Sequence, residues 1–163
     1  MNPTFVVLAT ISLGFLTGLR AFTPLAFVSW MSIWGWIPLA GSHLWFLGTT
    51  TCAAILSFLA VAELIGDKLP HTPPRIRPAP LIVRIINGAL SATALCVAGG
   101  QHWTFGILWG ALGAIGGSFG GYQVRRFLVR GGRIPDLVVA LTEDFVTIAG
   151  TLFVLRQYFS APV

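Results

Sequence analysis

Four of the chain's five carboxylates sit inside or at the ends of apolar runs, and they come as two pairs. Glu63 and Asp67, in "AELIGDKLPHTPPRIRPAP", are four residues apart and so share one face of a helix. Glu143 and Asp144 follow Pro135-Asp136 by seven and eight residues, about 10 Å along a helix. A carboxylate near the centre of a bilayer costs on the order of 3 kcal/mol on insertion scales, so it needs a partner, a proton or water. Candidate partners are Arg20, which closes the apolar run before "AFTP", and Arg125 with Arg126, which close "GGYQVRR". Acids from two helices and arginines from two others are therefore expected at one depth. Glu63, Asp67, Glu143, Asp144 and Arg20 form the candidate ion or substrate site, in which Glu63 and Glu143 either pair with Arg20 for structure or take a proton or cation that Arg20 tunes. In the alternative chemistry, Lys68, Arg75, Arg125 and Arg126 hold a phosphate or lipid head group and the acids hold Mg²⁺. No D-x-x-D pair supports that second reading, and His71 reads as a solvated loop residue. Cys52 and Cys96 stand alone in apolar runs, with no C-x-x-C and no histidine at metal spacing. No catalytic residue and no cofactor is expected.

The setting that must position these charges is apolar. The chain has 163 residues, 55% of them hydrophobic and 9% charged, with nineteen glycines and six tryptophans. Its mean hydropathy is +0.83. A soluble domain of this size would not keep so much apolar surface from water, and the expectation is a single all-α domain over residues 1–163, a polytopic membrane bundle. The pI near 10.3 would suggest nucleic acid in a soluble protein. Here the cations gather in two segments between apolar runs, 67–80 and 125–136, so no nucleic-acid partner is expected and the bilayer is. The N-terminus lacks a basic region before its apolar run and reads as a retained span.

Four runs reach the roughly 20 residues a crossing needs: 44–66, 81–99, 104–124 and 137–155. Arg84, near the start of the second, reads as a snorkelling side chain. Before residue 44, the runs 3–19 and 21–37 are separated by Arg20 and broken by Pro24 and Pro38. This gives six spans, or five if 21–37 is re-entrant. Both basic segments then face the cytoplasm, and Trp34, Trp36, Trp45 and Trp103 form an aromatic belt at the other face. The plasma (inner) membrane, crossed several times, is the expected location. Within 104–124, Gly106, Gly110, Gly113, Gly117 and Gly120 make a glycine stripe for close helix packing, within the chain or in a homo-oligomer. Gly116-Gly117-Ser118-Phe119-Gly120 fits G-x-S-x-G literally, but that motif needs a strand and a sharp turn before its serine.

"TGLRAFTP" before an E-x-x-x-D span and "GGYQVRRF" before an E-D span suggest a weak internal repeat, with the site at its interface. "GLRAFTPL", "ELIGDKLPHTPPR", "GALGAIGGSFGGYQVRR" and "PDLVVALTEDF" together resemble the bacterial membrane family catalogued as domain of unknown function 4126, over nearly the whole chain. The resemblance implies recurring positions at Gly18, Leu19 and Arg20, at Glu63, Asp67, Lys68 and Pro70, and at Glu143 with Asp144. It implies a membrane bundle and no activity. From the residues themselves the leading expectation is a small transporter or channel. A lipid head-group binder or modifier and a structural membrane subunit are the alternatives.

Overall fold

A computed structural model describes residues 3–67, 76–131 and 134–160. The described residues form six α-helices and no strand: α1 (Pro3–Leu19), α2 (Thr23–Ile33), α3 (Thr50–Gly66), α4 (Pro78–Ala98), α5 (Trp103–Arg126) and α6 (Asp136–Ser160). A 3₁₀ turn at Trp45–Gly48 leads into α3, and α5 ends in a π-helical turn at Phe127–Gly131. Lys68, His71 and Arg75 lie outside the described residues.

Local chemistry sets the boundaries. α1 stops at Leu19 and α2 starts at Thr23 because Pro24, in the first turn of α2, has no N–H to continue the earlier ladder. The 21–37 run thus yields an 11-residue helix, about 16 Å long and too short to cross a bilayer by itself. The remainder, with the positive-φ Gly35 (78°), folds over the end of the bundle and buries Ile37 and Leu39. Likewise the 44–66 run is helical only from Thr50, where the Thr49 hydroxyl accepts the amide of Cys52 at 3.3 Å. α4 begins at Pro78 with Pro80 in its first turn, where their missing N–H groups cost nothing.

α1, α4 and α5 make the tightest part of the molecule, with α5 wedged between the other two. The glycines explain this. A Cβ on Gly113 would stand 2.3 Å from the carbonyl oxygen of Ile11, and one on Gly117 only 2.0 Å from that of Phe15. On the α4 side, a Cβ on Gly110 would meet the Gly88 oxygen at 2.4 Å, and one on Gly106 the Thr93 Cα at 2.4 Å. These helices touch backbone to backbone, which only residues without a side chain permit. Gly120, by contrast, has only the Phe15 ring at 3.8 Å.

The other helices sit outside this trio. α3 packs on α2 and the 3₁₀ turn, and α6 leans on α1 and α2. Trp30 Nε1 donates to Ser57 Oγ at 2.9 Å to tie α2 to α3. Two helices, Pro78–Ala98 and Asp136–Phe159, are long and apolar enough to cross a membrane, and three shorter apolar helices accompany them.

Candidate functional site

The end of α1, the start of α2, the end of α3, the start of α4, the end of α5 and the start of α6 meet at one end of the bundle, joined by charges. Arg20 follows the last residue of α1 and is fully buried. Its Nη1 donates to Asp67 at the C-terminus of α3, and its Nη2 lies 2.5 Å from Asp144 Oδ1 on α6. Its Nε meets no acceptor among the described residues. Of the acids weighed as partners for Arg20, the structure gives it Asp67 and Asp144, while Arg84 and Arg125 take Glu63 and Glu143.

Arg84 does not snorkel. It is 4% exposed, six residues into α4, and points inward. Its Nη1 donates to the carbonyls of Gly18 at 3.0 Å and Leu19 at 2.8 Å, and its Nη2 to Glu63 Oε1 at 3.1 Å. The reason lies in the α1–α2 break. A helix that ends inside the protein leaves its last carbonyls unpaired, and the next leaves its first amides unpaired. Arg84 and Ser118, whose hydroxyl donates to the Gly18 carbonyl at 3.3 Å, satisfy the first set. Glu63 takes the amides that lead into α2, accepting from Ala21 N at 2.8 Å and from N of Phe22, the N-cap, at 3.1 Å. A carboxylate at the N-cap of α2 also meets the positive end of that helix's dipole. Asn87 completes the frame by donating to the Ala21 carbonyl at 3.1 Å.

Arg125, in the last turn of α5, holds Asp136 with two bonds of 2.8 Å and stands 3.6 Å from Glu143. Its Nη2 also reaches the Asp67 carbonyl at 3.5 Å. Arg126 turns outward and is exposed. Of the residues selected for a phosphate or lipid contact, Arg125 therefore joins the acids and Arg126 does not, while Lys68 and Arg75 lie outside the described residues.

The arrangement has a simple division. Among the described residues, the arginines that meet these acids belong to the glycine-packed trio: Arg20 closes α1, Arg84 is on α4 and Arg125 on α5. All five carboxylates of the chain, Glu63, Asp67, Asp136, Glu143 and Asp144, belong to α3 and α6. The snorkelling reading kept Arg84 out of the candidate site and Asn87 was not selected, although a signal was available. Arg84, Asn87 and Ser91 are spaced three and four apart in an apolar run, which puts three polar groups on one helix face. In an apolar surround such a face turns inward. Among the described residues, no group of His, Cys, Asp or Glu has the arrangement of a metal site.

The fold and site define an all-helical bundle whose acids and arginines interlock at one end. The chain belongs to the family described as domain of unknown function (DUF4126), which it matches over residues 7–159. No curated protein and no solved structure matches it.

Proposed function

We propose that the chain is a multi-pass protein of the plasma membrane and works as a small transporter whose cytoplasmic gate is the arginine–carboxylate clasp. Membrane placement is supported by how α6 meets its neighbours. Only 28% of its apolar stretch is buried, and Phe145 is 72% and Phe153 63% exposed. A soluble core helix would hide such residues, whereas lipid favours them outside. At the end opposite the clasp, Trp34, Trp36, Trp45 and Trp103 are all exposed, as residues at a membrane interface are. On this reading the chain crosses six times, α2 being a short crossing completed by residues 34–49. The clasp then lies inside the membrane: Arg84 is six residues into α4 and Asp144 eight into α6, about 9 and 12 Å from the helix starts.

The observation that carries the transport reading is the segregation of charge across a seam. Backbone contact between glycines makes α1, α4 and α5 one rigid body. α3 and α6 are joined to it at this end by ion pairs, which break and re-form as units where a packed core would resist. When α3 and α6 part from the trio, their carboxylates lose guanidinium partners. A proton or a cation from the cytosol then takes the place of the arginine and lowers the cost of the parted state. The turn between α1 and α2 lies at the same depth, and its carbonyls and amides, held by Arg84, Ser118 and Glu63, put polar backbone next to the moving site.

The test is flux across proteoliposomes. Wild-type protein should dissipate an imposed proton or monovalent-cation gradient, and Asp144→Asn, which cannot exchange arginine for a cation, should not. Equal flux through both variants refutes the role given to Asp144, and no flux through folded wild-type protein for any such ion refutes the transport reading.

A further inference from the structure

We propose a second site, at the end of α5, that binds the phosphate of an anionic phospholipid. It rests on the membrane placement above and not on transport. A pocket of about 180 Å³ is lined by Tyr122, Arg125, Arg126, Val129, Arg130 and Asp136. Arg125 spends two of its N–H groups on Asp136, at 2.8 Å each. Arg126 and Arg130 are exposed, and among the described residues neither meets a carboxylate. Three guanidiniums and one carboxylate thus face one small concavity, and two of the guanidiniums have their donor forks open. Forked N–H groups match phosphate oxygens in pairs, and the Tyr122 hydroxyl adds a further donor.

The backbone contributes to this convergence. Residues 127–131 wind as a wider π-turn, and Arg130 within it lines the same pocket as Arg125 and Arg126 at the end of α5. Orientation in a membrane needs cations in a loop, but it does not need three of them and a tyrosine around one pocket.

The choice of a lipid over a free phosphate comes from the neighbouring face of the same helix end. Val124 of α5 and Leu128 of the π-turn form, with Ile134, Val138 and Val146, the wall of a mainly apolar groove of about 490 Å³ between α1, α5 and α6, which Thr142 and Glu143 also border. The segment 134–136 borders both cavities, Ile134 facing the groove and Asp136 the pocket. A ligand with a phosphate at one end and an acyl chain at the other fills both, and inorganic phosphate fills only the first. The charge excludes a zwitterionic head group as the preferred occupant, because its cation would face Arg126 and Arg130.

The purified protein, in detergent, is titrated with short-chain phosphatidylglycerol, phosphatidylcholine or inorganic phosphate and followed by native mass spectrometry and melting shift. Phosphatidylglycerol should be retained at least about tenfold more tightly than phosphatidylcholine, and inorganic phosphate at the same concentration should shift nothing. Arg126→Gln with Arg130→Gln should lose that preference. Arg77→Gln with Arg156→Gln, which removes the same charge from two other exposed sites, should keep it. Tyr122→Phe, which removes one hydroxyl, should weaken retention several-fold and serves if the double variant fails to fold. Equal loss in the Arg77/Arg156 variant, an equal response to inorganic phosphate, or full retention by Tyr122→Phe and the Arg126/Arg130 variant overturns the proposal. Protein that stays monodisperse without detergent would instead remove the membrane placement, a failure distinct from these.

Discussion

Arg20→Met is the perturbation from which the clasp has most to lose. The guanidinium is 0% exposed and sits between Asp67 and Asp144, whose side chains are 15% and 11% exposed. Methionine has a similar apolar stem and removes the guanidinium that both nearly buried carboxylates meet. Breaking a buried pair from one side costs about 3 to 5 kcal/mol, mostly as the penalty for the stranded charge. The expected destabilisation is therefore about 3 to 5 kcal/mol. Adding Asp67→Asn and Asp144→Asn to Arg20→Met should restore much of the loss, because the two groups that faced the guanidinium are then neutral. The assay is reversible unfolding in mixed micelles for the single and triple variants. A triple variant less stable than Arg20→Met, or a single variant within about 1 kcal/mol of wild type, would refute the buried-clasp reasoning.

Further predictions concern packing and topology. Gly117→Ala puts a Cβ 2.0 Å from the Phe15 carbonyl oxygen and should lower the melting temperature sharply, whereas Gly116→Ala meets only the Phe15 ring at 4.0 Å. The latter should be neutral or gain up to about 1 kcal/mol of helix propensity, so the two melting curves should move apart. Arg84→Leu should destabilise by at least about 3 kcal/mol, because the Gly18 and Leu19 carbonyls and Glu63 lose their donor, while a snorkelling arginine at that position would be replaced at no cost. Arg84→Lys, with one ammonium where a fork reached three acceptors, should recover only part of the loss in the same unfolding assay. In a background lacking Cys52 and Cys96, Ser42→Cys and Gly131→Cys should react with an impermeant thiol reagent from opposite faces of the membrane, and labelling from one face would remove the proposed topology.

Helix positions were legible wherever the chain punctuates itself. Pro24, Pro78 and Pro80 mark ends that depend on a missing N–H, a local property that a sequence carries openly. The gathering of Glu63, Asp67, Glu143, Asp144 and Arg20 at one end follows from their places at helix ends, since antiparallel neighbours bring such ends together. Partner choice is another matter. Whether Arg20 meets Asp67 or Glu63 depends on about 100° of rotation per residue and on which rival donor arrives first, and Arg84 is that rival. Its role is written in carbonyls, which every residue has, so the demand at Gly18 and Leu19 appears only once α1 is seen to end inside the bundle. The 11-residue α2 was obscured for a related reason: the apolar sequence continues through Ile37 and Leu39, which are buried without being helical.

A gate in which α6 moves against the glycine-packed trio should be stopped by a reversible cross-link between them. A Cβ on Gly150 of α6 would touch the Leu16 side chain of α1 at 2.9 Å, so Leu16→Cys with Gly150→Cys, in the background lacking Cys52 and Cys96, places two thiols across the seam. Oxidation in proteoliposomes should stop ion flux and reduction should restore it, with each single-cysteine variant indifferent to both treatments. Undiminished flux through protein shown to be fully cross-linked would contradict a gate that works by parting α6 from α1.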